Sequence, residues 1–320
     1  MRTAIPLTVL VTGLACSLFT ASAQARARVF VASYGSDSNP CTFGSPYKTF
    51  QQAVNVVDVG GEVTAIDSAG FGPINITRSV TITSPAGVEA GIAAPALGTA
   101  AITINTTSSN QTITLSGLTL DGANVSNSTG ISFSGLRGSL SVRDSVIRNF
   151  TLDGIDFSPA GGGYLSVSNT VVSDNGNTGI AFFPTGSIFQ SLVTLNRVEI
   201  RNNPNYGFFL WGTPSSGGGL IVANVFESTV SGGSYCFYAL TDAGHSPVLI
   251  SLFHSIASGS LGPALNAEGE NAYISAANSM VTGNSSDWNA GSGAVVQSFG
   301  DNYFTGNVSS TGNPTPVLRQ

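Results

Sequence analysis

Positive charge is nearly absent from this sequence. Lys48 is the one lysine in 320 residues, and no Lys or Arg occurs between Arg201 and Arg319. That stretch holds Glu227, Asp242, Glu268, Glu270, Asp287 and Asp301. Phosphate backbones are gripped by clustered Lys and Arg, so the C-terminal half is unsuited to a nucleic-acid partner. Charge of either sign is also scarce, at 9% of residues with a net charge of −6. Polyelectrolyte disorder and a charged coiled coil are excluded on that ground. The cysteines are Cys16, Cys41 and Cys236 and the histidines are His245 and His254, at spacings that build no metal cluster. Beyond the N-terminal segment, no apolar run approaches the roughly 20 residues that a membrane span needs.

Small and hydroxylated residues take the place of charge. Gly contributes 39 residues, and Ser, Thr and Asn dominate the polar positions. Such a composition reads as all-β with many tight turns. Residues 1–25 read as a secretory signal. Arg2 is followed by an apolar run from Ile5 to Phe19 and then by Ala21-Ser22-Ala23 and Ala23-Gln24-Ala25, either of which fits a small-residue cleavage site. A secreted or periplasmic location is the expectation, with lipidation at Cys16 as a variant of it.

Internal repeats decide the fold class. A short motif recurs: an apolar residue, a small or polar one, then Asn, Asp or Gly. It stands at Leu120-Asp121-Gly122, Ile147-Arg148-Asn149, Val172-Ser173-Asp174 and Ile200-Arg201-Asn202. It returns at Val230-Ser231-Gly232, Ala257-Ser258-Gly259, Val281-Thr282-Gly283 and Phe304-Thr305-Gly306. Successive copies begin 27, 25, 28, 30, 27, 24 and 23 residues apart. A Gly-led alternating stretch follows, as in Gly130-Ile131-Ser132-Phe133, Gly154-Ile155-Asp156-Phe157, Gly179-Ile180-Ala181-Phe182 and Gly207-Phe208-Phe209-Leu210. A third strand precedes each turn motif, for example Leu140-Ser141-Val142 and Leu165-Ser166-Val167.

Three short strands in about 25 residues cannot bury an apolar face alone, but coils stacked about 4.8 Å apart bury one continuous core. The spacing is too short for a propeller blade of roughly 40–50 residues. The expectation is an all-β, right-handed parallel β-helix, a solenoid with a short N-terminal capping helix. Residues 26–61 form the cap segment, 62–307 the solenoid and 308–320 a loose C-terminal tail. Phe50, Ala53, Val54 and Val57 lie at helical spacing and predict the capping helix, which would cover the open edge of the first coil. Cys41 and Cys236 fall at opposite ends of the array, so no disulfide between them is expected.

The opening segment Pro46-Tyr47-Lys48-Thr49-Phe50-Gln51 with Ala53-Val54 resembles the cap of bacterial secreted β-helix proteins. Gly60-Gly61-Glu62-Val63, Gly70-Phe71-Gly72-Pro73-Ile74-Asn75-Ile76-Thr77 and Ser79-Val80-Thr81-Ile82 extend the likeness. It implies the pectin-lyase-like fold, in a group to which no activity is assigned. Motifs of the better-known enzymes of that fold are missing. Gly244-His245-Ser246 is present, but the sequence has no Asp-Asp pair and no Arg-x-Lys.

Charged side chains gather between Arg137 and Arg201, in three or four consecutive coils. If the protein is catalytic, Asp153 and Asp156 are the acid and base or nucleophile, with Arg148 beside them. The competing reading is a solvated surface with rung-to-rung ion pairs of at most ~1 kcal/mol each. Outward positions of the Gly-led strand change along the stack from Ser132/Ser134 and Asp156/Ser158 to Ala181/Phe183, Phe209/Trp211 and Phe237/Ala239. Tyr206 and Tyr235 lie beside them. The expected binding residues are therefore Phe183, Tyr206, Phe209, Trp211, Tyr235 and Phe237, whose rings would stack on sugars or on a partner. The competing reading is burial under a loop such as Gly217-Gly218-Gly219. The leading functional expectation is non-catalytic binding of an extracellular glycan or a partner surface. A polysaccharide lyase or glycosidase, and a structural cell-surface protein, are the alternatives. No cofactor is expected, with Ca²⁺ entering only in the lyase case.

Overall fold

A computed structural model describes residues 26–188, 190–216 and 218–317. The expected signal segment lies outside the described residues. The central coils each contribute one strand to each of three parallel sheets, which hold twelve, nine and ten strands. A representative coil runs Leu136–Arg143 in the twelve-stranded sheet, Val146–Arg148 in the ten-stranded sheet and Ile155–Phe157 in the nine-stranded sheet. The next coil repeats this order with Ala160–Ser168, Val171–Ser173 and Thr178–Phe182. The chain thus winds as a right-handed parallel β-helix.

Side chains that alternate in period two form ladders inside the solenoid. Ile131, Ile155, Ile180, Phe208 and Phe237 stand directly over one another, all fully buried. Beside them Phe133, Phe157 and Phe182 stack with centroids 4.6 and 5.1 Å apart. Fully burying each such side chain contributes about 1.5–3 kcal/mol. The motif glycines make room for this core. A Cβ on Gly154, Gly179 or Gly207 would lie 2.5, 2.5 or 2.1 Å from Val172, Ile200 or Val230.

The polar composition is explained at the corners. Asp144, Asn169, Arg197, Glu227, His254 and Asn278 all adopt φ between +47° and +54° where the chain leaves the twelve-stranded sheet. Buried hydroxyls follow them, each accepting from the coil below: Ser145 Oγ from Leu118 N, Ser228 Oγ from Val198 N, and Ser255 Oγ from Ser228 N. The next corner is tied by buried amides, with Asn203 Oδ1 accepting from both N and Nδ2 of Asn175. These bonds satisfy backbone donors that a buried turn would otherwise leave unpaired.

The cap forms as the periodicity predicts. Its helix spans Phe50–Val56, capped by Thr49 Oγ1, which accepts from Gln52 N, and it buries Phe50, Ala53 and Val54. The strand Arg28–Val31 also pairs with Glu62–Ala65, so the cap segment supplies the first strand of the large sheet. At the other end the chain departs from a loose tail. Thr315–Pro316 pairs with the strand Val295–Ser298, Ser310 Oγ donates to Asp287, and Trp288 Nε1 donates to Gly312 O. Cys41 and Cys236 are buried free thiols. No helix among the described residues is long and apolar enough to cross a membrane.

Candidate functional site

The outward face of the nine-stranded sheet gathers most of the side chains singled out in the sequence. Register fixes its columns. Asp156, Ala181, Phe209, Tyr238, Asn266 and Asn289 form one column in successive coils. Trp211, Leu240, Glu268 and Gly291 form a second. Thr178, Tyr206 and Tyr235 form a third.

Rings fill the middle of this face. Tyr206 and Phe209 stack at 4.7 Å, Phe209 and Trp211 at 5.8 Å, and Tyr206 and Tyr235 at 5.7 Å. Tyr238 lies 5.1–5.3 Å from Tyr206, Phe209 and Tyr235, and Phe183 lies 5.9 Å from Trp211. Phe183, Tyr206, Phe209, Trp211 and Tyr235 are half-buried, so the cluster is neither sealed into the core nor fully exposed. Five of the six ring positions expected from the sequence therefore come together. Phe237 does not. It pairs with Phe208 in the inward ladder and is fully buried. Tyr238 and Leu240 hold the outward positions expected for Phe237 and Ala239.

The slip has a local cause. Cys236 stands where the preceding coils place glycine. The residue after Val230 in the facing ladder is Ala257, whose smaller side chain leaves room for the thiol. Without the glycine marker, the strand reads equally well in either phase.

Polar groups close both ends of the cluster. At one end Asp153 Oδ1 accepts from Asn177 Nδ2 at 2.8 Å and from Thr178 N at 3.0 Å. Burial raises the Asp153 pKa against those bonds. Asp156 lies one rung from Ala181, and one of its carboxylate oxygens is buried with no hydrogen-bond partner. Burial pushes its pKa up to about 6; the Ser158 hydroxyl opposes the rise and the Asp153 charge adds to it. At the other end Glu268 accepts from Tyr238 Oη at 2.9 Å and from Asn266 Nδ2 at 3.3 Å. Burial first, and then Glu268, hold the Tyr238 hydroxyl above its ordinary pKa.

Arg148 is not part of this group. It lies in the ten-stranded sheet and ion-pairs with Asp121 at 3.0 Å. Arg148, Ser173 and Arg201 form a column of their own on another side of the solenoid. No group of three or more His, Cys, Asp or Glu side chains that could hold a metal ion occurs among the described residues.

The connections at one end of these strands also pair from coil to coil. Loops leaving the nine-stranded sheet stack as Gly161 N to Thr185 O at 2.9 Å and as the paired strands Gly186–Ser187 and Ser215–Ser216. Thr213 Oγ1 donates to Asp242, and His245 Nδ1 lies 2.8 Å from Ser215 O, so the loop above is tied to the same connections. Gly217, in the loop expected as a cover, lies outside the described residues.

No family model matches the chain, and no curated protein matches it in sequence. Among solved structures, pectate lyase Pel9A is similar at 15% identity with a TM-score of 0.56, over 85% of this chain and 74% of that one. XylC in complex with xylose follows at 10% identity and TM-score 0.48, over 82% and 69%. A GH136 lacto-N-biosidase from Eubacterium ramulus follows at 11% and 0.46, over 91% and 68%. With the sheet topology, the first likeness defines the class: a right-handed parallel β-helix of the pectin-lyase-like fold.

Proposed function

We propose that the outward face of the nine-stranded sheet binds an extended glycan. The observation that carries this reading is the contiguous cluster of Phe183, Tyr206, Phe209, Trp211, Tyr235 and Tyr238 on a face whose opposite phase is already apolar. Period two leaves these rings no core of their own. Rungs repeat about every 4.8 Å, comparable with one pyranose unit of an extended chain, so successive rings can meet successive sugars. Sugar faces stack on aromatic rings with their C–H groups, and the Asn and carboxylate groups at the ends offer hydrogen bonds to hydroxyls. One solved structure of similar fold is a pectate lyase, which agrees with a glycan ligand.

Asp156 supports a second reading, glycoside hydrolysis. A carboxyl with a pKa of about 6, beside a second carboxylate, is suited to hold a proton for a leaving oxygen. Binding leads because it needs only the ring cluster, whereas hydrolysis also needs the geometry of Asp153 and Asp156 around a bound sugar. A glycan array probed with the purified protein tests the first reading. Retention on at least one polysaccharide is expected, and blank binding across neutral, amino and acidic glycans contradicts it. Reducing-end release from any bound glycan, abolished in Asp156→Asn, would move the assignment to the hydrolase.

A further inference from the structure

We infer that this face takes a glycan carrying protonated amino groups, a glucosamine-type polymer, in preference to a neutral or uronic-acid chain. The inference rests on reading the face as a glycan platform and assigns its substrate class by charge.

None of the nine strands of this sheet contains Lys, Arg or His. The arginines of the neighbouring coils are engaged elsewhere. Arg143 bonds Ser116, Arg148 pairs with Asp121, Arg197 bonds Asn169, and Arg201 pairs with Glu199 and Asp174. Arg137 donates to Tyr164 in the twelve-stranded sheet. A uronic-acid chain would therefore bring its carboxylates to a face that offers no cation and already holds Asp153, Asp156 and Glu268. A metal bridge has no cluster of three ligands to use among the described residues.

The same features suit an ammonium group. Ring faces attract cations within about 6 Å of their centroids, more strongly where water is excluded. The rings of Tyr206, Phe209, Trp211 and Tyr235 stack on one another at 4.7–5.8 Å, and being half-buried they leave part of that aromatic surface open to a ligand cation. Carboxylates stand at both ends of the line. Glu268 accepts from Tyr238 Oη at 2.9 Å, and Tyr238 lies 5.2 Å from Tyr206, so this carboxylate sits against the ring cluster. A lysine-rich peptide would match the charge, but it brings no flat faces to lie on the rings, so the ring cluster favours the sugar.

Calorimetric titration at pH 7 tests this with a glucosamine hexamer, its N-acetylated counterpart, an oligogalacturonate of similar length, and polylysine. The glucosamine hexamer should bind at least about tenfold tighter than the acetylated one, a difference of about 1.4 kcal/mol. Raising salt from about 50 to about 500 mM should weaken it, as screening requires. Glu268→Gln and Asp156→Asn should each lower its affinity several-fold, while Glu227→Gln, at a corner outside this sheet, should not. Equal or tighter binding of the acetylated or galacturonate oligomer overturns the charge assignment and leaves the glycan platform standing. Binding of polylysine without the glucosamine hexamer overturns the assignment to a sugar. Failure of all three sugars removes the platform itself.

Discussion

Tyr238 donates its hydroxyl to Oε2 of Glu268 at 2.9 Å, joining the ring cluster to the polar end of the same face. Tyr238 is itself largely buried beneath its neighbours. Removing the donor in Tyr238→Phe leaves Glu268 with Asn266 Nδ2 as its partner. A hydrogen bond to a charged acceptor contributes about 1.5–3 kcal/mol, and Tyr238→Phe should lower stability toward the bottom of that range. Glu268→Gln, which still accepts, should cost less. Denaturant midpoints of the two variants check the order, and a neutral Tyr238→Phe contradicts the contact.

Asp156 gives the protein a pH dependence of unusual sign. Its folded pKa, about 6, lies above the ordinary aspartate value of 3.8. The folded state therefore holds the proton more tightly than the unfolded chain. The stabilising proton is fully present below the unfolded value and is lost as pH rises through the folded one. Stability should fall between about pH 4 and pH 6 by on the order of 2 kcal/mol from this group alone, and Asp153, raised in the same direction, adds to the trend. Asp156→Asn should flatten that part of the curve. Melting curves of both proteins from pH 4 to pH 7 measure it, and an unchanged slope in the variant counts against the burial of this carboxyl.

Ile155 sits between Ile131 and Ile180 in the inward ladder and is fully buried. Ile155→Ala should cost about 2–5 kcal/mol, the range for a core truncation. Ile155→Asp should be worse, because it places an unpaired carboxylate in the core. An Ile155→Asp protein that melts like the parent would contradict the register of the whole stack.

Most of the architecture was legible because two local signals recur with the coil. Gly154, Gly179 and Gly207 mark where a Cβ would strike the β-branched residue of the facing ladder, so glycine fixes the phase of the strand that follows. Asn149, Asp174 and Asn202, which end the recurring turn motif, mark a left-handed corner. Where Cys236 and Ala257 exchange sizes with Gly207 and Val230, the phase marker is lost. A one-residue slip then moves every side chain to the other face, which is why Phe237 was expected on the platform and Tyr238 was not. Arg148 illustrates a different limit. It is close to Asp153 in sequence, but the corner between them carries the chain from one sheet to the next. Sequence proximity says little about sides of a solenoid. Glu268 went unnoticed as a site residue because its relation to Tyr206 and Tyr238 exists only once neighbouring coils stack.

The central claim is that the half-buried rings serve a ligand and not the core, and the double variant Phe209→Ala/Trp211→Ala tests it most directly. Its glycan affinity and its melting temperature should be measured on one preparation beside the parent. Affinity should fall on the order of 100-fold, as when two hot-spot rings are truncated, while the melting temperature drops by no more than about 5 °C. A melting temperature that collapses as for a core truncation, with glycan affinity unchanged, would show that these rings hold the solenoid together and bind nothing.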